Sequence, residues 1–183
     1  MGQIWIDPQL YETPPLSEGR LPKEMNTYTL LASLGIAYVR LDHDATATVD
    51  DCFEVEQRLN IRICKNLFLN NAKKTRFYLL MMPGEKRYRA GEVSAQVQST
   101  RLSFAGAQDM ERLLGITPGS VSVLGLMNDI NHEVSLLIDR DLLAEEYVGC
   151  HPCVNTASVR LAMDDLLNKF LPFTGHKPTF VTL

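Results

Sequence analysis

Two apolar segments in the middle of the chain, joined by a polar turn, place the strongest constraint on the fold. The first, Lys65–Asn71, ends in two asparagines, and the second, Arg76–Met82, is stopped by Pro83-Gly84. Apolar runs of this length bounded by turn residues predict strands, and the short polar connection predicts that the two strands pair as an antiparallel hairpin. The middle of the chain is therefore predicted to form a sheet.

Helices and further strands are predicted on both sides of this hairpin. Apolar spacing and capping residues favour helices over Lys23–Leu34, Thr48–Leu59, Ala90–Gln98, Ala107–Leu114 and Met163–Phe170. Strands are predicted at Ala37–Leu41, Val121–Leu126, Glu133–Ile138 and Thr179–Leu183, with an extended segment over Tyr147–Leu161 that Pro152 interrupts. Strands interspersed with helices indicate an α+β protein with a mixed, strongly curved sheet.

The length of the chain and its composition set the class of protein. A chain of 183 residues fits one compact domain, predicted over residues 23–183, and the Pro- and Gly-containing residues 1–22 are predicted to form a tail or strap, with Trp5 docking on the body. No apolar run approaches the length of a membrane-spanning helix, and no basic region precedes an apolar run as in a secretory signal. Four cysteines are too few for a disulfide scaffold, so we expect a cytoplasmic protein without membrane contact.

Positive charge is concentrated in one part of an acidic chain. The net charge is −4, which argues against indiscriminate coating of nucleic acid. Half of the 18 Lys and Arg residues nevertheless fall between Arg62 and Arg101, opposed there only by Glu85 and Glu92. Two interpretations are open: a solvated surface, which charge alone favours, and a local phosphate-binding patch.

The segment Gly149–Ala157 admits three interpretations: a redox motif, half of a metal site, or a substrate-binding loop. Cys150 and Cys153 form a C-x-x-C pair, but the β-rich residues that follow do not start the helix that a redox motif needs. No further Cys or His residues stand at zinc-ligand spacing. The sequence also lacks a G-x-S-x-G nucleophile elbow and a P-loop, so hydrolysis here would require an already activated substrate, such as an activated ester.

Four short motifs that follow one another in a fixed order are specific as a combination, although each of their residues alone is common. They are Lys65-Asn66-Leu67-Phe68-Leu69, Gly119-Ser120-Val121-Ser122, Leu124-Gly125-Leu126-x-Asn128-Asp129 and Gly149-x-His151-Pro152-x-x-Asn155-Thr156-Ala157. In this combination the chain resembles the YbaK/prolyl-tRNA editing domain superfamily, and within it the free-standing alanyl-tRNA(Pro) deacylases. The resemblance extends from about Lys23 to Leu183.

The resemblance implies a fold and an activity. The fold is a single α+β domain with a curved, barrel-like mixed sheet flanked by helices. The activity is trans-editing: hydrolysis of mischarged aminoacyl-tRNA(Pro), above all Ala-tRNA(Pro), by water, with assistance from the 2′-hydroxyl of the substrate and without metal or cofactor. The implied partners are the aminoacyl-tRNA and prolyl-tRNA synthetase.

The resemblance also implies functional residues. The catalytic positions are Lys65, Gly149 and His151, and the substrate-binding positions are Gly125, Pro152, Asn155 and Thr156. Lys65 is expected to hold the terminal phosphate or ribose, and backbone N–H groups around Gly149–His151 to stabilise the oxyanion. His151 is expected either to contact the substrate amine or to orient water. The phosphate-patch interpretation of the basic segment now gains weight, with tRNA contacts expected at Lys73, Lys74, Arg76, Lys86 and Arg87.

Three other functions remain as alternatives. The same fold could deacylate Cys-, Ser- or Thr-tRNA, since pocket size cannot be read from one sequence. A non-catalytic module could bind tRNA or an amino acid in the same pocket. A thiol oxidoreductase would require a Cys150 or Cys153 thiol of lowered pKa.

Overall fold

The computed structural model describes residues 4–45, 49–62 and 64–183, with the backbone alone at 49–52. Within these ranges the α-helices are α1 (Pro22–Ser33), α2 (Val49–Leu59), α3 (Ala90–Gln96), α4 (Ala107–Leu114), α5 (Met163–Asp165) and α6 (Leu171–Thr174). The strands are β1 (Tyr38–Asp42), β2 (Cys64–Asn70), β3 (Phe77–Pro83), β4 (Ser103–Phe104), β5 (Val134–Asp139), β6 (Tyr147–Cys150), β7 (Ala157–Ala162) and β8 (Thr179–Val181).

The predicted hairpin is confirmed and lies in the larger of two sheets. This sheet has the order β4-β2-β3-β5-β8, with β2 antiparallel to β3 and β5 parallel to β3. All of β3 is buried, because a central strand with neighbours on both edges and packing on both faces requires an almost continuous apolar run. Lys65 at the start of β2 lies opposite Met82 at the end of β3.

The smaller sheet carries the segment Gly149–Ala157. It has the antiparallel order β1-β7-β6, so the loop at 151–156 joins two neighbouring strands. The α+β class and the mixed sheet are confirmed, but the strands are divided between two sheets where the sequence predicted one.

Alternating side chains of the larger sheet supply two separate cores. Leu79 and Met81 face a core shared with Val159 and Leu161 of the smaller sheet. The intervening residues of β3 face a second core beneath α3, formed by Leu69, Tyr78, Leu80, Met82, Val93, Leu102, Leu137 and Val181. Since successive side chains of a strand point to opposite faces, one buried strand joins both cores and fixes the two sheets relative to each other.

One predicted strand is wrong, and one helix is longer than expected. Val121–Leu126 was predicted to be extended, but Val123–Asn128 is a 3₁₀ helix whose first turn is capped by the Ser122 side chain. Short apolar runs do not distinguish strand from helix by periodicity. The C-terminal helix continues from α5 through a π-helical stretch, Leu166–Phe170, into α6. The predicted cap Thr48 lies outside the described residues.

The residues before α1 run along the free edge of β1. Ile6 pairs with His43 and Tyr11 pairs with Arg40 in antiparallel bridges, and the backbone N–H of Trp5 donates to the Asp44 carboxylate at 3.0 Å. This strap covers an edge strand that would otherwise present unpaired backbone groups. A bilayer-spanning helix would need about 20 apolar residues, and the helices within the described ranges do not reach that length and apolarity.

Candidate active site

A cavity of about 280 Å³ opens where the two sheets meet. It is bounded by the C-terminal part of α2, the first residues of β2, the turn before the 3₁₀ helix and the end of β6. Its lining residues are Val55, Glu56, Ile61, Cys64, Lys65, Asn66, Gly119, Val121, Gly149, Cys150, His151 and Ser158. The structure therefore brings the three predicted catalytic residues, Lys65, Gly149 and His151, to one cavity, although β2 and β6 belong to different sheets.

Lys65 is held in place by a second lysine. Its Nζ donates a hydrogen bond to the main-chain oxygen of Lys86 at 3.1 Å. The Lys86 ammonium in turn donates to both carboxylate oxygens of Asp139, at 3.0 and 2.8 Å, and lies 2.8 Å from Asp141. Asp139 is completely buried, so the turn after β3 is anchored to the end of β5 and presents a carbonyl to Lys65.

We expect Lys86→Met to lower the free energy of unfolding by about 2 kcal/mol, because it leaves the buried Asp139 carboxylate without its cation. Lys74→Met is the matched control: Lys74 is exposed at the hairpin turn, and surface substitutions change stability by about 0.5 kcal/mol or less. Urea unfolding of both variants measures the difference. Equal stability of the two would show that the Lys86–Asp139 pair is not what anchors the turn.

A glycine is needed at position 149 because the Ile61 side chain packs directly against it. A Cβ atom added to Gly149 would lie 2.0 Å from Cδ1 of Ile61, closer than two non-bonded carbon atoms can approach. Ile61 follows α2 and forms part of the cavity wall. The glycine therefore allows the Ile61 side chain to close one side of the cavity against β6.

His151 has one ring nitrogen committed and the other available. Its Nδ1 lies 2.8 Å from the main-chain oxygen of Ala157; because a carbonyl only accepts hydrogen bonds, Nδ1 carries the proton. Burial lowers the pKa of His151, and the nearby His43 lowers it further, while the bond to Ala157 opposes both. The ring is therefore neutral near pH 7, and Nε2 is an acceptor at the cavity.

Four predicted substrate-binding residues do not line this cavity. Gly125 lies in the 3₁₀ helix, where an added Cβ would meet Leu114 at 3.2 Å, so the lack of a side chain lets that helix pack closely against α4. Pro152 is buried in the loop. Asn155 and Thr156 line a separate cavity of about 260 Å³ on the other side of the loop.

Asn155 packs against a residue that lines the cavity. Its side-chain amide lies against Gly119, at 3.2 Å from where a Cβ would stand, and Gly119 has a left-handed φ of +88°. The cavity is lined by Gly119 and Val121 rather than Gly125. The motif Leu124–Asp129 is structural as well: Asn128 donates to the Leu114 carbonyl.

The predicted tRNA-contacting residues fall into two groups. Lys73, Lys74 and Arg76 are exposed at the turn between β2 and β3, six residues or about 20 Å along the strand from Lys65. Lys86 and Arg87 follow β3 at the end nearest Lys65. Arg87 is exposed, whereas the Lys86 side chain is engaged by Asp139 and Asp141 and is not a free phosphate ligand.

Several cavity residues were not singled out from the sequence. Val55 and Glu56 lie in the last turns of an amphipathic helix, and Ser158 lies on a strand. Nothing in their spacing separates them from ordinary surface or core residues. Their position is decided by α2 packing on the smaller sheet, and only the structure shows it.

The three cysteines whose side chains the structure describes, Cys64, Cys150 and Cys153, are unsuited to thiol chemistry. Burial raises the pKa of Cys64 to about 12, and it raises the pKa of Cys150 and Cys153 as well. A C-x-x-C redox pair needs a lowered thiol pKa. The C-x-x-C spacing of Cys150 and Cys153 is therefore incidental, and the oxidoreductase interpretation loses its basis.

We expect iodoacetamide near pH 7 to modify Cys150 and Cys153 at least about tenfold more slowly than a free cysteine, because buried thiols with raised pKa carry little thiolate. Peptide mass spectrometry resolves each site. Unfolding in urea should remove the protection from both. Fast labelling of either residue in the folded protein would contradict this assignment.

Among the described residues, no group of three or more His, Cys, Asp or Glu side chains is placed to hold a metal ion. The polar groups that converge on the cavity are an ammonium, an imidazole, a carboxylate, a hydroxyl and a carboxamide, supplied by Lys65, His151, Glu56, Ser158 and Asn66. With apolar walls around them, these groups can bind and polarise a small polar substrate.

Comparison with known proteins places the chain in one family. The model of the aminoacyl-tRNA editing domain family matches residues 43–169. The prolyl-tRNA editing protein ProX of Acetoanaerobium sticklandii is 32% identical over 136 residues, covering 74% of this chain and 83% of that protein. The prolyl-tRNA synthetase associated domain-containing protein 1 of Danio rerio is 29% identical over 164 residues, covering 88% and 87%.

Solved structures share the fold. A crystal structure described as that of a proposed trans-editing enzyme for prolyl tRNA synthetase superposes with a TM-score of 0.66. The superposition covers 90% of this chain and 99% of the other, at 20% sequence identity. At that identity the likeness concerns the fold alone.

Proposed function

The chain belongs to the aminoacyl-tRNA editing domain family and is an aminoacyl-tRNA deacylase, and we propose that its substrate is Ala-tRNA(Pro). The observation that carries the proposal is the meeting of Lys65, Gly149 and His151 at one cavity with a mostly apolar wall. The relatives named for prolyl-tRNA editing and for prolyl-tRNA synthetase support proline tRNA as the nucleic acid.

The cavity supports a small aminoacyl group. Its apolar side chains include Val55, Ile61 and Val121, and Ile61 is pressed against Gly149 so that the space between α2 and β6 is narrow. A methyl side chain fits such a pocket with little loss of contact. A synthetase pocket built for proline rejects a smaller side chain by only about 1–3 kcal/mol. A second pocket that admits the alanyl group and excludes the larger prolyl group therefore corrects the error.

The proposed reaction is hydrolysis of the ester that joins alanine to the terminal ribose. Water attacks the carbonyl carbon, a new C–O bond forms, and the bond to the ribose oxygen breaks; the proton released by the water is taken up by that leaving oxygen. The neighbouring 2′-hydroxyl of the substrate assists the proton transfer. An aminoacyl ester is activated enough that orientation and polarisation of the carbonyl suffice, which fits the absence of a nucleophile elbow in the sequence.

Each of the three residues has a proposed task. The Lys65 ammonium, oriented by the Lys86 carbonyl, holds the terminal phosphate or ribose. His151 Nε2 accepts a hydrogen bond from the attacking water. β6 is the edge strand of its sheet, so alternate N–H groups near Gly149 point away from β7 and can stabilise the oxyanion.

The basic residues suggest the path of the acceptor stem. Arg87 lies near the Lys65 end of the β2–β3 hairpin, and Lys73, Lys74 and Arg76 lie at its other end. We propose that the single-stranded terminus enters the cavity at the first end while the duplex contacts the second. Phosphate contacts of this kind make affinity fall as salt rises.

The test is deacylation of Ala-, Cys-, Ser- and Pro-tRNA(Pro) by the wild-type protein. Clearance of Ala-tRNA(Pro) with Pro-tRNA(Pro) left intact is the expected result. Clearance of the Cys or Ser ester instead would keep the reaction and replace the substrate. Tight tRNA binding without turnover of any ester would overturn the proposal in favour of the binding module.

A further inference from the structure

A row of three polar side chains runs from the cavity into the protein: His151, Ser158 and His43. His43 Nε2 lies 2.9 Å from the Ser158 hydroxyl oxygen, and that oxygen lies 3.5 Å from His151 Nδ1. The two imidazole rings are 6.2 Å apart between centroids. His43 is 2% exposed and Ser158 7% exposed, so both belong to the interior, where polar groups require partners.

The hydrogen bonds in this row have one possible direction. His43 Nδ1 lies 2.7 Å from the main-chain oxygen of Asp44, and because that oxygen only accepts, Nδ1 carries the proton. Burial lowers the pKa of His43, so the ring is neutral and Nε2 is an acceptor. The Ser158 hydroxyl must then donate to His43, which leaves its oxygen lone pairs facing the Nδ1–H of His151.

His43 also holds the backbone on which His151 depends. Its main-chain N–H donates to the Thr156 carbonyl at 3.0 Å, and Ala157 is the residue whose carbonyl accepts from His151 Nδ1. From the other side, the strap pairs with His43 through Ile6. His43 therefore fixes residues 156–158 by its backbone and by its ring at the same time.

We propose that His43 and Ser158 are positioning residues of the deacylation site, which hold His151 in the tautomer whose unprotonated Nε2 faces the cavity. This role presupposes the proposed function of His151. Without the row, the carbonyl of Ala157 is free to shift and the His151 ring can adopt the other tautomer, in which Nε2 donates and no longer accepts from water.

The same contacts fit an alternative role for Ser158, that of a nucleophile, and the experiment must distinguish the two roles. A serine that donates to a histidine at 2.9 Å is also the geometry of a nucleophile and its base, and Ser158 lines the cavity. The row ends on the main-chain carbonyl of Asp44 rather than on a carboxylate, and Ser158 is only 7% exposed. Both features favour positioning over attack.

The experiment reads the tautomer of His151 in the substrate-free protein by ¹⁵N NMR of labelled histidine. The chain has four histidines, so His151→Gln identifies the signal by its disappearance. The variants are Ser158→Ala, which removes one hydroxyl, His43→Leu, which removes the acceptor, and His43→Gln, which keeps a side-chain acceptor. His132→Asn is the control, because His132 contacts His176 and Gly175 and lies outside the row.

We expect His151 to show only the Nδ1–H tautomer in the wild type and in His132→Asn. In Ser158→Ala and His43→Leu we expect His151 to show a mixture of the two tautomers. In those two variants kcat should fall about tenfold, part of the ~10²–10⁴-fold that a positioned proton acceptor contributes, with KM nearly unchanged. His43→Gln should retain most of the activity. If His43→Leu fails to fold, Ser158→Ala, which removes only one hydroxyl, still tests the proposal.

Two results would overturn the proposal. One is an unchanged tautomer in Ser158→Ala and His43→Leu. The other is complete loss of turnover in Ser158→Ala together with a trapped acyl-enzyme in the wild type, which would make Ser158 the nucleophile. Because the tautomer is read without substrate, the effect of His43 and Ser158 on the His151 tautomer is decided even if the wild-type protein fails to deacylate Ala-tRNA(Pro), a failure that would count against the proposed function.

Discussion

Lys65→Ala is expected to lower kcat/KM for deacylation by about 100-fold or more while the protein stays folded. An ammonium that holds the substrate near the reacting ester contributes through orientation and charge, and loss of one such group costs about 10²–10³-fold. Lys65 is exposed at the mouth of the cavity, so its removal should change the free energy of unfolding by about 0.5 kcal/mol or less. Single-turnover deacylation and urea unfolding measure the two quantities.

The matched control for Lys65→Ala is Lys74→Ala at the far end of the same hairpin. Removal of one phosphate contact there should weaken tRNA binding modestly and reduce its salt dependence, with the rate at saturating tRNA unchanged. If Lys65→Ala behaved in the same way as Lys74→Ala, Lys65 would be a general tRNA contact. The task proposed for Lys65 at the reacting end of the substrate would then be wrong.

Gly149→Ala is expected to produce the second large effect, about 100-fold in kcat/KM. The new methyl group would occupy the place of Ile61 Cδ1, so the isoleucine side chain must turn into the cavity or away from β6, and either movement displaces the substrate. Misplacement of a bound substrate by about 1 Å can cost about 10²-fold. The cost to stability should be about 1–3 kcal/mol, as for other overpacked sites.

The double variant Gly149→Ala with Ile61→Val tests whether the effect is steric. Valine lacks the Cδ1 atom, and the next atom of Ile61, Cγ1, lies at 3.4 Å from the added Cβ, an ordinary contact. We expect the double variant to regain most of the lost stability and activity. Failure to regain activity while stability returns would assign the glycine a direct role at the oxyanion.

The polar groups of the cavity are oriented by hydrogen bonds to neighbouring residues. Lys65 and His151 are held by hydrogen-bond partners at the cavity wall and behind it: Lys65 by the Lys86 carbonyl, and His151 by the Ala157 carbonyl and the Ser158 hydroxyl. Lys86 is itself fixed by a carboxylate that is fully buried. Such supporting contacts keep polar groups oriented before the substrate arrives, so that little reorganisation remains for the reaction.

Local patterns were enough to predict most of the secondary structure, and the family resemblance pointed to three residues that line the cavity. The hairpin of β2 and β3 and the helix Ala107–Leu114 follow from apolar runs bounded by turn residues, which act over a few positions of the chain. Lys65, Gly149 and His151 followed from four ordered motifs, and the structure places all three at one cavity.

The tertiary structure alone decided what surrounds those residues. Gly125 packs against α4 and does not line the cavity, and Lys86 is engaged by Asp139, 53 positions away. His43 and Ser158 are 115 positions apart and meet because β1 and β7 pair. Contacts at such separations depend on which strands become neighbours and how the two sheets stack, and no local periodicity or spacing records that choice.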